Sequence, residues 1–134
     1  MVTVYYGLII IIGYLDVIFF NHQAPLEQLK SNLSEILNTR RGSLHYLPDY
    51  GLPDLNKIYQ GLPESMGFLV SEVENLIRIY EPRLTSVNII PYLSKEVDCV
   101  VHLKLEATFM PSKTPVYFET YFLSGGEAKI QWKD

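Results

Sequence analysis

From Pro25 onward the apolar positions change period. Leu26, Leu29, Leu33, Ile36 and Leu37 recur at steps of three and four, which places them on one stripe of a helix. Pro25 suits the first turn, where its missing N–H has no helical partner to lose, and Gly42 stops the pattern. Arg40 and Arg41, late in the run, are expected to face the negative end of that helix. A second stripe, Leu69, Val73, Leu76, Ile77 and Tyr80, predicts a helix that starts near Pro63 and ends at Pro82, which disfavours the α region at Glu81. The period then falls to two: Val97, Cys99, Val101, Leu103, Leu105, Ala107 and Phe109 alternate with Asp98, His102, Lys104, Glu106 and Thr108, the pattern of a half-buried strand. Arg83 to Ile90, Val116 to Leu123 and Ala128 to Trp132 are further strand candidates, with Ser124-Gly125-Gly126-Glu127 as a hairpin turn. Helices first and strands afterwards predict an α+β domain in which two main helices pack on one face of a small, mainly antiparallel sheet of three or four strands.

Between the helices, Pro48, Gly51, Pro53 and Gly61 leave room only for a short helix over Asp54 to Gln60. Tyr46, Leu47, Tyr50, Leu52, Leu55, Ile58 and Tyr59 make this connector too apolar for a solvated linker, so it is expected to pack on the domain or on a partner. The start of the chain follows neither pattern. Residues 2–20 carry Asp16 as their one charge, with twelve Val, Ile, Leu and Phe among them. Each of those twelve favours insertion by about 0.3 to 0.6 kcal/mol, whereas Asp16 alone opposes it by about 2.5 to 3.5 at mid-membrane. Three tyrosines and two glycines weaken the case further, and no signal-peptide pattern of leading Lys or Arg and trailing cleavage site is present. Residues 1–22 are therefore read as an apolar segment distinct from a single domain over 23–134. Cover by a partner protein or a non-native start is preferred to a membrane anchor, and contact with a membrane through residues 2–20 stays open.

Composition narrows the function classes. The 134 residues carry 11 Lys+Arg against 15 Asp+Glu, a formal charge of −4 that argues against a nucleic-acid surface. The lone Cys99, inside the alternating run, reads as a small buried hydrophobe, and nothing calls for an oxidising compartment. His22, His45 and His102 form no metal spacing, and no glycine-rich phosphate motif or nucleophile elbow occurs, so neither a metal nor a cofactor is expected. Asp49, Asp54, Glu64 and Glu81 offer carboxylates, but their spacing selects no pair of the kind that cleaves a glycosidic bond. Tyr80-Glu81-Pro82-Arg83-Leu84 is more specific. Proline fixes a corner between helix and strand, and in an extended chain Glu81 and Arg83 point to the same side. Such a pair either bridges to a partner or forms a surface ion pair within the chain, worth about 0 to 1 kcal/mol.

Four separate motifs then converge. Asn32-Leu33 through Ile36-Leu37-Asn38-Thr39-Arg40-Arg41-Gly42-Ser43, Leu47-Pro48-Asp49-Tyr50-Gly51-Leu52-Pro53-Asp54-Leu55, Tyr59-Gln60-Gly61-Leu62-Pro63 and Tyr80-Glu81-Pro82-Arg83 resemble, in order and spacing, the TssE family. These are lysozyme-like baseplate wedge subunits of bacterial type VI secretion systems, related to wedge proteins of contractile phage tails. The resemblance runs from about Leu26 to Ile130, with Phe118, Thr120 and Phe122 similar to the family's penultimate strand; the first twenty residues do not resemble its polar N-terminus. It implies a non-enzymatic assembly role in a cytoplasmic baseplate docked at the inner membrane. The implied partners are the wedge subunits TssF and TssG and the TssB/TssC sheath, with the adaptor TssK and the spike in the same assembly. The family's hallmark triplet falls on Glu81, Pro82 and Arg83, and with Tyr50, Gly51, Leu52, Pro53 and Asp54 it forms the expected partner-binding set. Sheath subunits of such machines lend strands to one another, and an open sheet edge here is expected to serve in the same way. A peptidoglycan-cleaving muramidase, suggested by the "lysozyme-like" label, is the alternative.

Overall fold

The computed structural model describes residues 25–133. Expectations placed on the apolar start and on His22 lie outside them. The chain divides into two compact units between Ser31 and Asn32, and the larger unit holds the elements below except the first seven residues of the opening helix. That helix, α1 (Pro25–Asn38), buries Leu29, Leu33, Ile36 and Leu37 of the predicted stripe and leaves its first member, Leu26, exposed in the opening turn. It is followed by α2 (Leu55–Gln60), whose start is capped by Asp54 accepting from the Asn56 N–H at 3.0 Å, and by α3 (Met66–Tyr80), which buries Leu69, Val73, Leu76 and Ile77. Four strands come next: β1 (Leu84–Leu93), β2 (Cys99–Phe109), β3 (Thr114–Leu123) and β4 (Ala128–Trp132). They form an antiparallel meander in the order β1-β2-β3-β4. The α+β class and the four strands agree with the periodicity.

One face of the sheet is the core. Cys99, Val101, Leu103, Leu105, Ala107 and Phe109 of β2 and Val116, Phe118, Thr120 and Phe122 of β3 all turn to it and are buried. Cys99 is the buried small residue that its position in the alternation predicts.

The connector packs on the domain through its backbone. Leu52 donates its N–H to the Thr39 carbonyl at 2.9 Å and accepts from the Arg41 N–H at 2.8 Å, closing a parallel bridge between Arg40 and Leu52. This bridge draws the chain out of α1 at Thr39, three residues before Gly42, and it corrects the reading of the two arginines. No basic residue lies in the last turn of α1. Arg40 instead extends its Nη2 to the Gly126 carbonyl in the β3–β4 turn at 2.5 Å, and Arg41 pairs with Glu72 on α3. The bridge also dictates a glycine. Gly51 sits at φ +103°, and a Cβ there would stand 2.4 Å from the Thr39 oxygen.

Both edges of the sheet are blunted. Ser94 N–H bonds Val100 O, so the alternation of an antiparallel ladder turns the backbone groups of Ile89, Pro91 and Leu93 outward, and the missing N–H of Pro91 falls on the free side of β1. At the other edge, Lys133 N–H bonds Tyr117 O and Leu123 N–H bonds Glu127 O, which turns the groups of Ala128, Ile130 and Trp132 outward. Those of Ala128 are taken by one side chain: Asn38 donates Nδ2 to the Ala128 carbonyl at 2.9 Å and accepts its N–H on Oδ1 at 2.8 Å.

Gly51→Ala is expected to destabilise the fold by about 1 to 3 kcal/mol or more, because the left-handed φ and the clash act together. Urea denaturation checks it, and an unchanged midpoint would show that the Arg40–Leu52 bridge yields freely.

Candidate functional site at the Glu-Pro-Arg corner

Helix α3 ends at Tyr80 because Pro82 disfavours another helical residue before it, and the Glu81 N–H closes the last turn on the Ile77 carbonyl at 2.8 Å. The backbone then turns over Pro82 and Arg83 into β1, with Leu84 N–H returning to Glu81 O at 3.1 Å. The sequence places the two side chains on one side of an extended chain; here it is this turn that brings Glu81 and Arg83 together.

Their environment differs from a surface pair. Glu81 is 1% exposed. Its Oε2 accepts from Arg83 Nε at 2.8 Å and from the Arg83 backbone N–H at 3.3 Å, while Oε1 accepts from Arg83 Nη2 at 2.9 Å. A fourth donor comes from another element, for Asn32 on α1 gives its Nδ2 to Oε1 at 2.6 Å. A buried carboxylate needs both its charge and its lone pairs matched, and this fork-to-fork arrangement does both. Arg83 keeps 36% of its side chain exposed and lies 5.9 Å from the centre of the Phe109 ring. Pro82 is exposed beside it. The corner is thus a braced guanidinium at the surface over a buried acid.

The second predicted group, Tyr50 to Asp54, divides. The Tyr50 ring meets the Tyr80 ring edge-on at 4.8 Å, which sets it beside the start of the corner. Its hydroxyl is pushed far up, first by burial and then by the charge of Glu35. Tyr50, Gly51 and Leu52 are buried and act in the Arg40–Leu52 bridge and the core; Pro53 and Asp54 reach the surface, Asp54 as the cap of α2.

A further polar cluster went unforeseen on the outer sheet face. Glu119 of β3, 7% exposed, accepts from Lys133 Nζ at 2.9 Å and from Tyr121 O–H at 2.8 Å, with His102 Nε2 2.7 Å away. The His102 ring stacks on Tyr121 at 4.5 Å and lies against Tyr92 at 5.7 Å. Hydrogen bonds from Lys133, then Tyr121, then His102 overcome the cost of burial and hold the Glu119 carboxyl down at about 2, while the bond to Glu119 pushes the Tyr121 phenol up to about 12. Among the described residues no group of His, Cys, Asp and Glu is arranged to hold a metal, and no helix is long and apolar enough to cross a membrane.

The family profile described as baseplate wedge protein gp25 matches residues 23–112. The chain belongs to the gp25 baseplate wedge family. A similar relative within it is the baseplate wedge protein gp25 of Enterobacteria phage T4, 30% identical over 69 residues, which are 49% of this chain and 52% of that protein. The chain therefore spans about half the length of the curated relative it matches. A chain from the baseplate complex of the type VI secretion system superposes with a TM-score of 0.59 at 29% identity, over 84% of this chain and 96% of that one. This gp25-family protein is accordingly TssE-like, and the resemblance in the four motifs holds.

Two stability predictions follow from these environments. Arg83→Ala leaves Glu81 buried without its cation and is expected to cost about 3 to 5 kcal/mol, whereas an exposed pair would cost less than about 1; chemical denaturation distinguishes the two. The Glu119 carboxyl is held at about 2 in the folded chain against an ordinary 4.5, so the unfolded chain binds the proton first as pH falls. The stabilisation from this group is fully present above that upper value and is lost as pH falls toward the lower one. Glu119→Gln should flatten the acid limb of a stability-against-pH curve in that window, and an unchanged limb would contradict the assignment.

Proposed function

We propose that the chain is a non-enzymatic baseplate wedge subunit of a type VI secretion system. In this reading it assembles with TssF and TssG, and it initiates polymerisation of the contractile TssB/TssC sheath. The assembly also holds TssK and the spike, and it works from the cytoplasm against the inner membrane. The observation that carries the proposal is the corner itself: in a chain of this family, a guanidinium with 36% of its side chain exposed is pre-oriented by a carboxylate that has no exposure to lose. Orientation already fixed before binding spares the entropy of ordering a long side chain, and the partner groups that suit it are carboxylates or backbone carbonyls.

Chemistry within the described residues supports assembly over catalysis. A muramidase needs a carboxylic acid that stays protonated in an apolar pocket, opposite a second carboxylate. The two buried glutamates have the reverse surroundings: Glu81 is matched by Arg83 and Asn32, and Glu119 is held ionised by Lys133, Tyr121 and His102. For strand lending, β4 is the favoured edge. Its Ile130 and Trp132 groups face outward, and no proline lies among its residues, in contrast with Pro91 on β1.

The decisive experiment separates the corner's brace from its interface. Glu81→Gln with Arg83→Met removes both charges together, so no buried ion is left unpaired and the fold is expected to persist. Co-purification with TssF and TssG should fall by at least tenfold, and purified wild-type protein should leave cell-wall turbidity unchanged. Retained co-purification by the folded double variant would remove the corner from the interface, and lysis that disappears with one Glu→Gln change would favour the muramidase.

A further inference from the structure

The register of the four strands lays Tyr92, His102, Tyr121 and Lys129 side by side across the outer face of the sheet, one from each strand. The first three form a floor of rings. His102 stacks on Tyr121 at 4.5 Å and lies against Tyr92 at 5.7 Å, while Lys104 Nζ stands 5.0 Å from the centre of the Tyr92 ring. These residues line a groove of about 310 Å³, which Leu93 and Lys95 border at the end of β1. Tyr92 and Leu93 keep 42% and 53% of their surface exposed, and apolar area rimmed by charge in this way marks a place where another molecule binds.

The floor is set before anything arrives. Glu119 Oε1 takes the Tyr121 O–H at 2.8 Å and stands 2.7 Å from His102 Nε2, so these two rings are held by hydrogen bonds as well as by stacking. Rings already ordered lose little entropy on binding. The charge at the groove favours an acid. Lys95 and Lys104 line it and Lys129 ends the row of rings, against Glu96 as the acid of the lining. The Glu119 carboxylate does not cancel these lysines, because Lys133 Nζ already pairs with it at 2.9 Å. A local excess of lysine on a chain of formal charge −4 singles out this groove for acidic partners.

We propose that the groove is a second docking surface, which takes an extended acidic segment of a partner protein, with its apolar side chains on Tyr92 and Leu93 and a carboxylate on Lys104. Size agrees with an extended chain. Three rings on neighbouring strands span two strand spacings, about 10 Å, which about three extended residues cover. Three lysines are few for holding an anionic membrane, where stable attachment takes a second anchoring signal. The groove lies toward the end of β1, whereas Arg83 precedes its first residue, so this contact is separate from the Glu-Pro-Arg corner.

The test titrates the isotope-labelled full chain with a short synthetic peptide in which Asp and Glu alternate with Leu and Tyr; a control peptide carries Asn and Gln in place of the acids. Amide and ring signals of Tyr92, His102, Lys104 and Tyr121 should shift together, with an affinity about tenfold above that of the control, and added salt should weaken it. Changing both lysines, Lys95→Glu with Lys104→Glu, should lower the affinity by about tenfold at an unchanged urea midpoint, and Tyr92→Ala by about fivefold. Arg83→Met should leave the peptide's affinity as it is, which keeps a failure here distinct from a failure of the corner as an interface. Absence of binding, equal binding of the two peptides, or full affinity in the folded double lysine variant overturns the proposal. So do two other results: the same signals moving with protein concentration alone, which makes the occupant a second copy of this chain, or moving with phosphatidylglycerol vesicles and not with the peptide, which makes it a lipid surface.

Discussion

The Glu81 carboxylate must have a partner for its charge where no water reaches it, and the corner between helix and sheet is arranged around that demand. An ion of this kind costs several kcal/mol to bury, and only a well-aligned counterion with extra hydrogen bonds offsets the cost. Arg83 supplies the counterion and Asn32 the extra bond. Pro82 sets the turn that lets residues two apart share one oxygen pair. The same contacts that stabilise the end of α3 therefore determine how the guanidinium meets the surface.

Similar economy governs the loop after α1. Arg40, Arg41, Gly51 and Leu52 form a clasp: a backbone bridge joins the connector to the end of the helix, and the two arginines reach out from it in different directions, to the β3–β4 turn and to α3. Tyr59 adds a hydroxyl bond to the Leu123 carbonyl at 2.8 Å, and burial of its ring, the leading cause, pushes that phenol up to about 12. The apolar connector is thereby held to the sheet's far hairpin by polar contacts at several points. Its buried residues complete the core; its exposed Tyr46 does not.

What was legible in the sequence was whatever depends on period and on local stereochemistry. The stripes of α1 and α3, the alternation of β2, the hairpin at Ser124 to Glu127 and the stop at Pro82 all follow from neighbours within a few residues, and they reappear with shifts of up to three residues at their ends. The destinations of charged side chains did not follow. Arg40 and Arg41 read as helix-end cations because their carbonyl partner in the distant turn and their carboxylate partner on α3 are invisible to a local rule. Glu119 drew no reading at all, since the groups that meet it include His102 from β2 and Lys133 from beyond β4. Glu81 and Arg83 were recognised as a pair, but the inward turn of the acid needed the third element. Asn32 stood within a quoted motif, and no spacing rule joins it to a corner 49 positions away.

The side chain of Asn38 against Ala128 has its own meaning for assembly. An amide that both donates to and accepts from one residue of an edge strand imitates the next strand, one residue long. Any strand that pairs along the whole of β4 must first displace that imitation, so at Ala128 it exchanges hydrogen bonds instead of adding them. Only the outward groups at Ile130 and Trp132 yield new bonds. A strand arriving at β4 would therefore exchange bonds at Ala128 and gain them toward Trp132, so the Asn38 amide biases any pairing on this edge toward its C-terminal half.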